Sequence, residues 1–137
     1  MSQDNIFVDT GAWFALADED DAHHKEAASI FPLLLKTSKG LITSNLVIAE
    51  SYVLVLKGLG HKSAIDFLDR INGSPRIMRV HSTSDIEKEA EATLKKYMDQ
   101  DFSYTDAVSF AIMRQQNIKK AFSFDKHFQI MGFVRVP

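Results

Sequence analysis

Short apolar runs alternate with longer amphipathic segments along most of the chain. Runs of about five apolar residues predict buried strands, whereas apolar residues three and four positions apart predict helices. The predicted strands cover residues 5–9, 41–43, 76–80, 120–124 and 133–136. The predicted helices cover residues 11–17, 22–36, 45–56, 61–72, 83–98, 103–116 and 125–130. Pro32 lies inside the second helix and is expected to bend or split it.

Alternation of short strands with helices is typical of the α/β class. It predicts a central, mostly parallel sheet of four to five short strands that is covered by helices on both faces. The chain has 137 residues, a length that fits a single domain spanning residues 1–137. In such sheets the ligand sites lie beyond the carboxyl ends of the strands.

Composition narrows the functional classes. Cysteine is absent, which excludes disulfides and thiolate metal sites and is compatible with a cytoplasmic protein. Residues 1–5 lack the basic and apolar regions of a signal peptide, and the apolar stretch 46–56 is too short to span a bilayer. The net charge of −2 gives no global basic field, so a nucleic-acid ligand would need a local basic patch or a bound metal.

Glu50 stands out among the acidic residues. On the predicted helix its neighbours three and four positions away are Leu46, Val47, Val53 and Leu54, all of them apolar. We therefore interpret Glu50 as an acid on a core-facing stripe. A carboxylate in such a place is costly unless its charge is compensated.

Three aspartates are predicted at the carboxyl edge of the sheet. Asp9 ends the first strand, Asp125 directly follows Phe124, and Asp106 opens a helix. Each has an alternative role as a helix cap, and for Asp106 the capping box with Ser103 is a strong rival. Glu50 has no capping role.

Together the four acids favour a divalent-metal site. Mg²⁺ and Mn²⁺ prefer carboxylate and water oxygens, and Mg²⁺ is typically held by a few carboxylates together with substrate phosphate. Clustered carboxylates without metal repel one another, so at least one should have a raised pKa. Of the histidines, His127 is close to Asp125 in sequence and could touch substrate, but we expect it on the surface.

The segments that carry the acids resemble, in order and over essentially the whole chain, the motifs of PIN-domain nucleases. The similarity is greatest to small stand-alone members of the VapC toxin type. The matching segments are Ile6-Phe7-Val8-Asp9-Thr10, Thr43-Ser44-Asn45-Leu46-Val47-Ile48-Ala49-Glu50, Phe102-Ser103-Tyr104-Thr105-Asp106-Ala107 and Phe122-Ser123-Phe124-Asp125-Lys126-His127-Phe128.

The resemblance implies a three-layer α/β/α sandwich and Mg²⁺- or Mn²⁺-dependent cleavage of RNA. It assigns metal binding and catalysis to Asp9, Glu50, Asp106 and Asp125. It also places supporting hydroxyls at Thr10 and Ser44, and a further acid at either Asp99 or Asp101. Toxin-type members usually form homodimers and are held inactive by an antitoxin partner, whereas other stand-alone members serve in RNA maturation.

Two rival functions come from other classes. A phosphatase-like α/β protein would use Asp9 as a nucleophile, but it would favour a second acid at position 11, which here is Gly. A non-catalytic RNA- or protein-binding module could keep the fold without the chemistry, although four intact acids argue against it. A measurement of Mg²⁺ or Mn²⁺ binding distinguishes this binding module from a metal-dependent nuclease, because the module would bind neither ion.

Overall fold

The computed structural model describes residues 4–137, which leaves the first three residues of the segment considered for a signal peptide outside the description. Within residues 4–137, five strands alternate with seven helices. The strands are β1 (Asn5–Val8), β2 (Gly40–Ser44), β3 (Ile77–Val80), β4 (Lys120–Phe122) and β5 (Val134–Val136). The helices are α1 (Thr10–Ala17), α2 (His24–Thr37), α3 (Asn45–Leu59), α4 (His61–Gly73), α5 (Ser84–Lys96), α6 (Tyr104–Gln115) and α7 (His127–Ile130).

All five strands form one sheet in the order β3-β2-β1-β4-β5, and every pairing is parallel. The predicted α/β class with a parallel sheet flanked by helices is confirmed. From β1 the chain moves outward to β2 and β3, and it then crosses back to β4 and β5 on the other side of β1. Because crossovers between parallel strands are right-handed, this reversal puts the helices of the two halves on opposite faces. The strand order reverses between β1 and β4, which is the topological switch point where ligands bind in such sheets.

Strands β1 and β4 end earlier than predicted, just before polar residues. β1 ends at Val8 and β4 ends at Phe122, so Asp9 and Ser123 both lie at the carboxyl edge. The two are held side by side, since Val8 pairs with Phe122 and the Asp9 backbone N–H donates to the Phe122 carbonyl over 3.1 Å. This register sets the distance between the residues that follow the two strands, among them Asp9 and Ser123.

Pro32 does not split α2, which runs unbroken from His24 to Thr37. A proline lacks the N–H that would bond the carbonyl four residues earlier, here that of Ala28. Both Pro32 and Ala28 are exposed, so water can satisfy the free carbonyl at little cost.

The core lies on both sides of the central strands and surrounds α6. Every residue from Ala107 to Met113 is buried, which makes α6 apolar on all sides. The largest fully buried side chains include several aromatic ones: Phe7, Phe110, Phe122 and Phe128. Within residues 4–137, no helix combines the length and the apolar character needed to cross a membrane.

Candidate metal centre at the carboxyl edge of the sheet

A cleft of about 390 Å³ opens at the switch point, and all four predicted acids line it. Its lining residues come from four separate parts of the chain: Asp9, Thr10, Gly11, Glu50, Leu54, Ser103, Asp106, Phe124 and Asp125. A larger cavity of about 540 Å³ lies against α1, α2 and α4 and is lined largely by apolar and aromatic side chains, among them Trp13, Phe31 and Phe67. We regard the smaller cleft as the candidate functional site because the acids meet there.

Asp9 is the most buried of the four acids, with 6% of its surface exposed. It occupies the N-cap position of α1, and its Oδ2 accepts a hydrogen bond from Ser123 Oγ over 3.1 Å. Burial, followed by the negative charge of Asp106, raises the pKa of Asp9 from 3.8 to about 7. The Thr10 backbone N–H and the Ser123 hydroxyl lower this pKa by smaller amounts, and the charge of Asp125 raises it. The charged form of Asp9 therefore needs a compensating positive charge.

Asp106 both caps helix α6 and lines the cleft. The Asp106 N–H donates to Ser103 Oγ over 2.9 Å, and the Ser103 N–H donates to Asp106 Oδ2 over 3.0 Å, which is the predicted capping box. Its side chain is nevertheless only 13% exposed, and burial together with the charge of Asp125 raises its pKa. The cap fixes the rotamer that places this carboxylate in the cleft.

Asp125 is tied to Asp9 through Ser123, which the sequence interpretation missed. Ser123 Oγ accepts a hydrogen bond from the Asp125 backbone N–H over 3.0 Å while it donates to Asp9. Asp125 Oδ1 in turn accepts from the His127 backbone N–H over 2.9 Å, close to the capping role considered for it. The sequence offered only a serine two positions before a predicted site acid, because its contact with Asp9 depends on the register between β1 and β4.

Glu50 lies in the cleft for a different reason from the one predicted. The interpretation that it sits on a core-facing stripe was wrong, because Glu50 is exposed and Val53 and Leu54 are 43% and 41% exposed. Helix α3 buries another side instead, formed by Val47, Ile48, Ser51 and Val55. Of the apolar neighbours of Glu50, Val47 belongs to the core, whereas Leu54 lines the cleft and Val53 faces open surface.

His127 is not on the surface, contrary to expectation. Its side chain is 13% exposed and packs edge-on against the ring of Phe102. Nε2 lies 3.0 Å from Asp101 Oδ1, and Nδ1 lies 3.1 Å from Asp125 Oδ1 and 3.7 Å from Asp106 Oδ2. Of the two acids left open by the sequence, Asp101 is thus the one bonded to a residue at the site.

The two predicted supporting hydroxyls differ in position. Thr10 is buried and lines the cleft. Ser44 is fully buried, and its Oγ accepts from the Val47 backbone N–H over 3.1 Å as the N-cap of α3. Any support from Ser44 would act through the placement of α3 and hence of Glu50.

The donor set fits a divalent cation. Asp106, Asp125 and His127 offer ligand atoms within 4.8 Å of one another. Four buried side-chain polar atoms have no hydrogen-bond partner within residues 4–137, and two of them, Thr10 Oγ1 and His127 Nδ1, lie at this site. Buried polar atoms are normally satisfied, so such orphans beside a carboxylate cluster fit a site built for an ion and its waters.

The chain belongs to the PIN domain family, whose model matches residues 6–134. It is 35% identical over 131 residues to the 23S rRNA-specific endonuclease VapC20 of Mycobacterium tuberculosis, and the match covers 96% of this chain and 97% of that protein. The predicted resemblance to VapC-type members of the family is confirmed.

Solved structures agree with this assignment. The crystal structure of Mycobacterium tuberculosis VapC20, described as a sarcin-ricin loop cleaving toxin, superposes with a TM-score of 0.87 at 34% identity, over 94% of this chain and 96% of that one. VapBC2 from Rickettsia felis, solved with a DNA fragment from its promoter, gives a TM-score of 0.71 at 13% identity and covers 96% of both chains. At 13% identity, the similarity to VapBC2 shows a shared fold and nothing more.

Proposed function

We propose that this chain is a divalent-metal-dependent endoribonuclease and the toxin of a toxin-antitoxin pair. Family membership and the likeness to VapC20 support a ribonuclease toxin. The observation that carries the proposal is the meeting of Asp9, Glu50, Asp106 and Asp125 in one cleft at the switch point. These four residues come from four separate elements or loops, and their convergence is what metal-assisted hydrolysis requires.

Asp9, Glu50, Asp106 and Asp125 would hold Mg²⁺ or Mn²⁺, directly or through water. Such an ion supplies an activated water and neutralises charge on the phosphodiester. Asp9 stays partly protonated near neutral pH when its charge is not compensated, because burial and the charge of Asp106 raise its pKa to about 7. Burial and the charge of Asp125 also raise the pKa of Asp106 above its ordinary value. Ser123 links the Asp9 carboxylate to the backbone of Asp125 through its two hydrogen bonds.

Asp125 is the acid placed to orient the attacking water or to hold a second ion. Its side chain is 32% exposed, against 13% for Asp106, so it stands nearer the open mouth of the cleft. Attack by water in line with the 3′ oxygen would leave 5′-phosphate and 3′-hydroxyl ends. Cyclic phosphate products would reject this route.

We propose 23S rRNA as the first substrate to test, on the strength of the identity to VapC20. We propose a cytoplasmic location as well, because ribosomal RNA is found there. The predicted net charge of −2 gives little long-range attraction to RNA, so we expect recognition to depend on the metal-loaded cleft and local contacts.

We also propose a homodimer and an antitoxin partner. The exposed side of α3 carries Val53, Leu56 and Leu59, which are 43%, 36% and 37% exposed and share one side of the helix. An apolar strip of this kind on a soluble domain favours burial against a second copy. A neighbouring reading frame for a small DNA-binding protein would support the antitoxin, and its absence would favour an RNA-maturation role.

The decisive experiment is cleavage of purified ribosomes and of protein-free 23S rRNA by metal-stripped protein, with Mg²⁺, Mn²⁺ or EDTA added back. We expect metal-dependent cleavage at one site, mapped by primer extension. Asp9→Asn should abolish cleavage while far-ultraviolet circular dichroism stays unchanged. Cleavage that persists in EDTA, or in the Asp9→Asn variant, would contradict the proposal.

A further inference from the structure

His127 is held by contacts on both sides of its imidazole ring. Nε2 lies 3.0 Å from Asp101 Oδ1, and the ring packs edge-on against Phe102 at a centroid distance of 5.0 Å. Asp101 is 95% exposed and belongs to the loop before α6, so the contact joins that loop to the start of α7. A carboxylate that binds one ring nitrogen fixes the orientation of the other nitrogen.

The other ring nitrogen, Nδ1, faces the acids of the cleft. It lies 3.1 Å from Asp125 Oδ1 and 3.7 Å from Asp106 Oδ2, yet it is buried and makes no hydrogen bond to any residue between 4 and 137. When Nε2 carries the proton that Asp101 accepts, Nδ1 presents a lone pair to two carboxylates. Lone pairs that converge in this way repel one another unless a cation lies among them.

We propose that His127 Nδ1 is a direct ligand of the divalent ion, together with Asp106 and Asp125, and that Asp101 is the positioning residue that orients the imidazole. The inference rests on the proposed metal-dependent function and deepens it. A carboxylate bonded to the far nitrogen is the usual support of a metal-binding histidine. A nitrogen donor also favours Mn²⁺ over Mg²⁺, because Mg²⁺ prefers oxygen ligands.

The competing arrangement is an imidazolium that forms ion pairs with the three acids and never meets the metal. Spectroscopy separates the two, since a metal-bound imidazole couples its nitrogen nucleus to the unpaired electrons of Mn²⁺. The experiment uses the full chain, stripped of metal and loaded with less than one equivalent of Mn²⁺. Electron spin echo envelope modulation then reports directly bound nitrogen.

We expect ¹⁴N modulation in the unaltered protein, its loss in His127→Gln, and its retention in His81→Gln, which changes an exposed histidine that does not line the cleft. Asp101→Asn should keep the modulation but weaken Mn²⁺ binding roughly 10-fold or more, as outer partners of metal ligands do. His127→Gln should also reduce the ratio of Mn²⁺ to Mg²⁺ affinity, measured by calorimetric competition.

Each failure has its own signature. If Mn²⁺ binds the unaltered protein without ¹⁴N modulation, the role of His127 is overturned while the acidic metal centre stands. ¹⁴N modulation that survives in His127→Gln would likewise overturn the role of His127 and leave the acidic metal centre standing. If the protein binds neither Mn²⁺ nor Mg²⁺, the proposed function itself fails. Because Asp101 is exposed, Asp101→Asn tests the positioning role even if His127→Gln folds poorly.

Discussion

Ser123 Oγ donates a hydrogen bond to Asp9 Oδ2 over 3.1 Å and joins two residues that are 114 positions apart in the sequence. The same oxygen accepts from the Asp125 backbone N–H over 3.0 Å. One buried hydroxyl thus links the ends of β1 and β4 and orders two of the four acids. Its effect on the site is electrostatic as well as geometric, because the bond lowers the pKa of Asp9.

Ser123→Ala should therefore weaken metal binding and cleavage. Loss of the donor leaves Asp9 with less stabilisation of its charged form and frees Asp125 to move. We expect Mn²⁺ affinity, measured by calorimetry, to fall roughly 10-fold. Ser51→Ala is the matched control, because Ser51 is equally buried and its Oγ has no partner in the described chain. Equal losses in both variants would refute a specific role for Ser123.

The stability of the metal-free protein should fall as pH rises from about 4 to about 7. The folded protein keeps a proton on Asp9 that the unfolded chain releases near pH 3.8, so the folded state binds more protons in this window. At roughly 1.4 kcal/mol for each pH unit, a pKa of about 7 corresponds to about 4 kcal/mol in the free energy of unfolding. Urea unfolding in EDTA at several pH values measures this change in the free energy of unfolding.

Asp9→Asn is the control for this pH effect, since the amide keeps the shape and cannot ionise. The variant should lose the Asp9 component of the slope and should be more stable than the unaltered protein in EDTA at pH 8. Asp106 contributes a slope of the same sign, because its pKa is also raised. Identical pH profiles of the two proteins would show that the charge of Asp9 is not costly.

Much of this molecule could be predicted from periodicity. The alternation of apolar runs and amphipathic segments predicted all five strands and all seven helices, because each element buries a side defined by local spacing. The parallel sheet then predicted a common edge for Asp9 and Asp125. The contacts of His127 with Asp101 and of Ser123 with Asp9 could not be predicted, since they join segments whose distance depends on the loop before α6 and on the register between β1 and β4.

Glu50 shows the limit of reasoning from helix neighbours. Four apolar residues on its side of α3 were compatible with the core, a cleft or an interface, and sequence spacing does not distinguish these. Because Glu50 is exposed, Glu50→Gln should change the free energy of unfolding in EDTA by no more than about 0.5 kcal/mol. It should still weaken Mn²⁺ binding. A large gain in stability, as expected for Asp9→Asn, would mean that Glu50 is desolvated after all.

Arg76 has a structural role at the end of α2. Its guanidinium donates to the Lys39 carbonyl over 2.9 Å and to the Leu35 carbonyl over 3.1 Å, and it also bonds the Ser38 carbonyl. Arg76→Ala should therefore destabilise the end of α2 and cost about 2 kcal/mol by urea unfolding. Arg79→Ala is the control, because it removes a single hydrogen bond, to Asn72 Oδ1. It should lower the free energy of unfolding by well under 1 kcal/mol, about a third of the loss expected for Arg76→Ala. RNA cleavage by Arg76→Ala should persist at temperatures where the variant is folded.

The exposed side of α3 gives the proposed homodimer a direct test. Leu56 is 36% exposed there, between Val53 and Leu59, and a lysine at its position would place a charge in the centre of the apolar strip. Burial of an unpaired charge in an interface is costly, so Leu56→Lys should convert the dimer to a monomer in light scattering at micromolar concentration. Leu33→Lys is the control, because Leu33 is 56% exposed on α2 and lies outside the strip. Because Leu54 of the same helix lines the cleft, loss of the dimer should also reduce RNA cleavage. If the unaltered protein is already a monomer in solution, the proposed homodimer is contradicted.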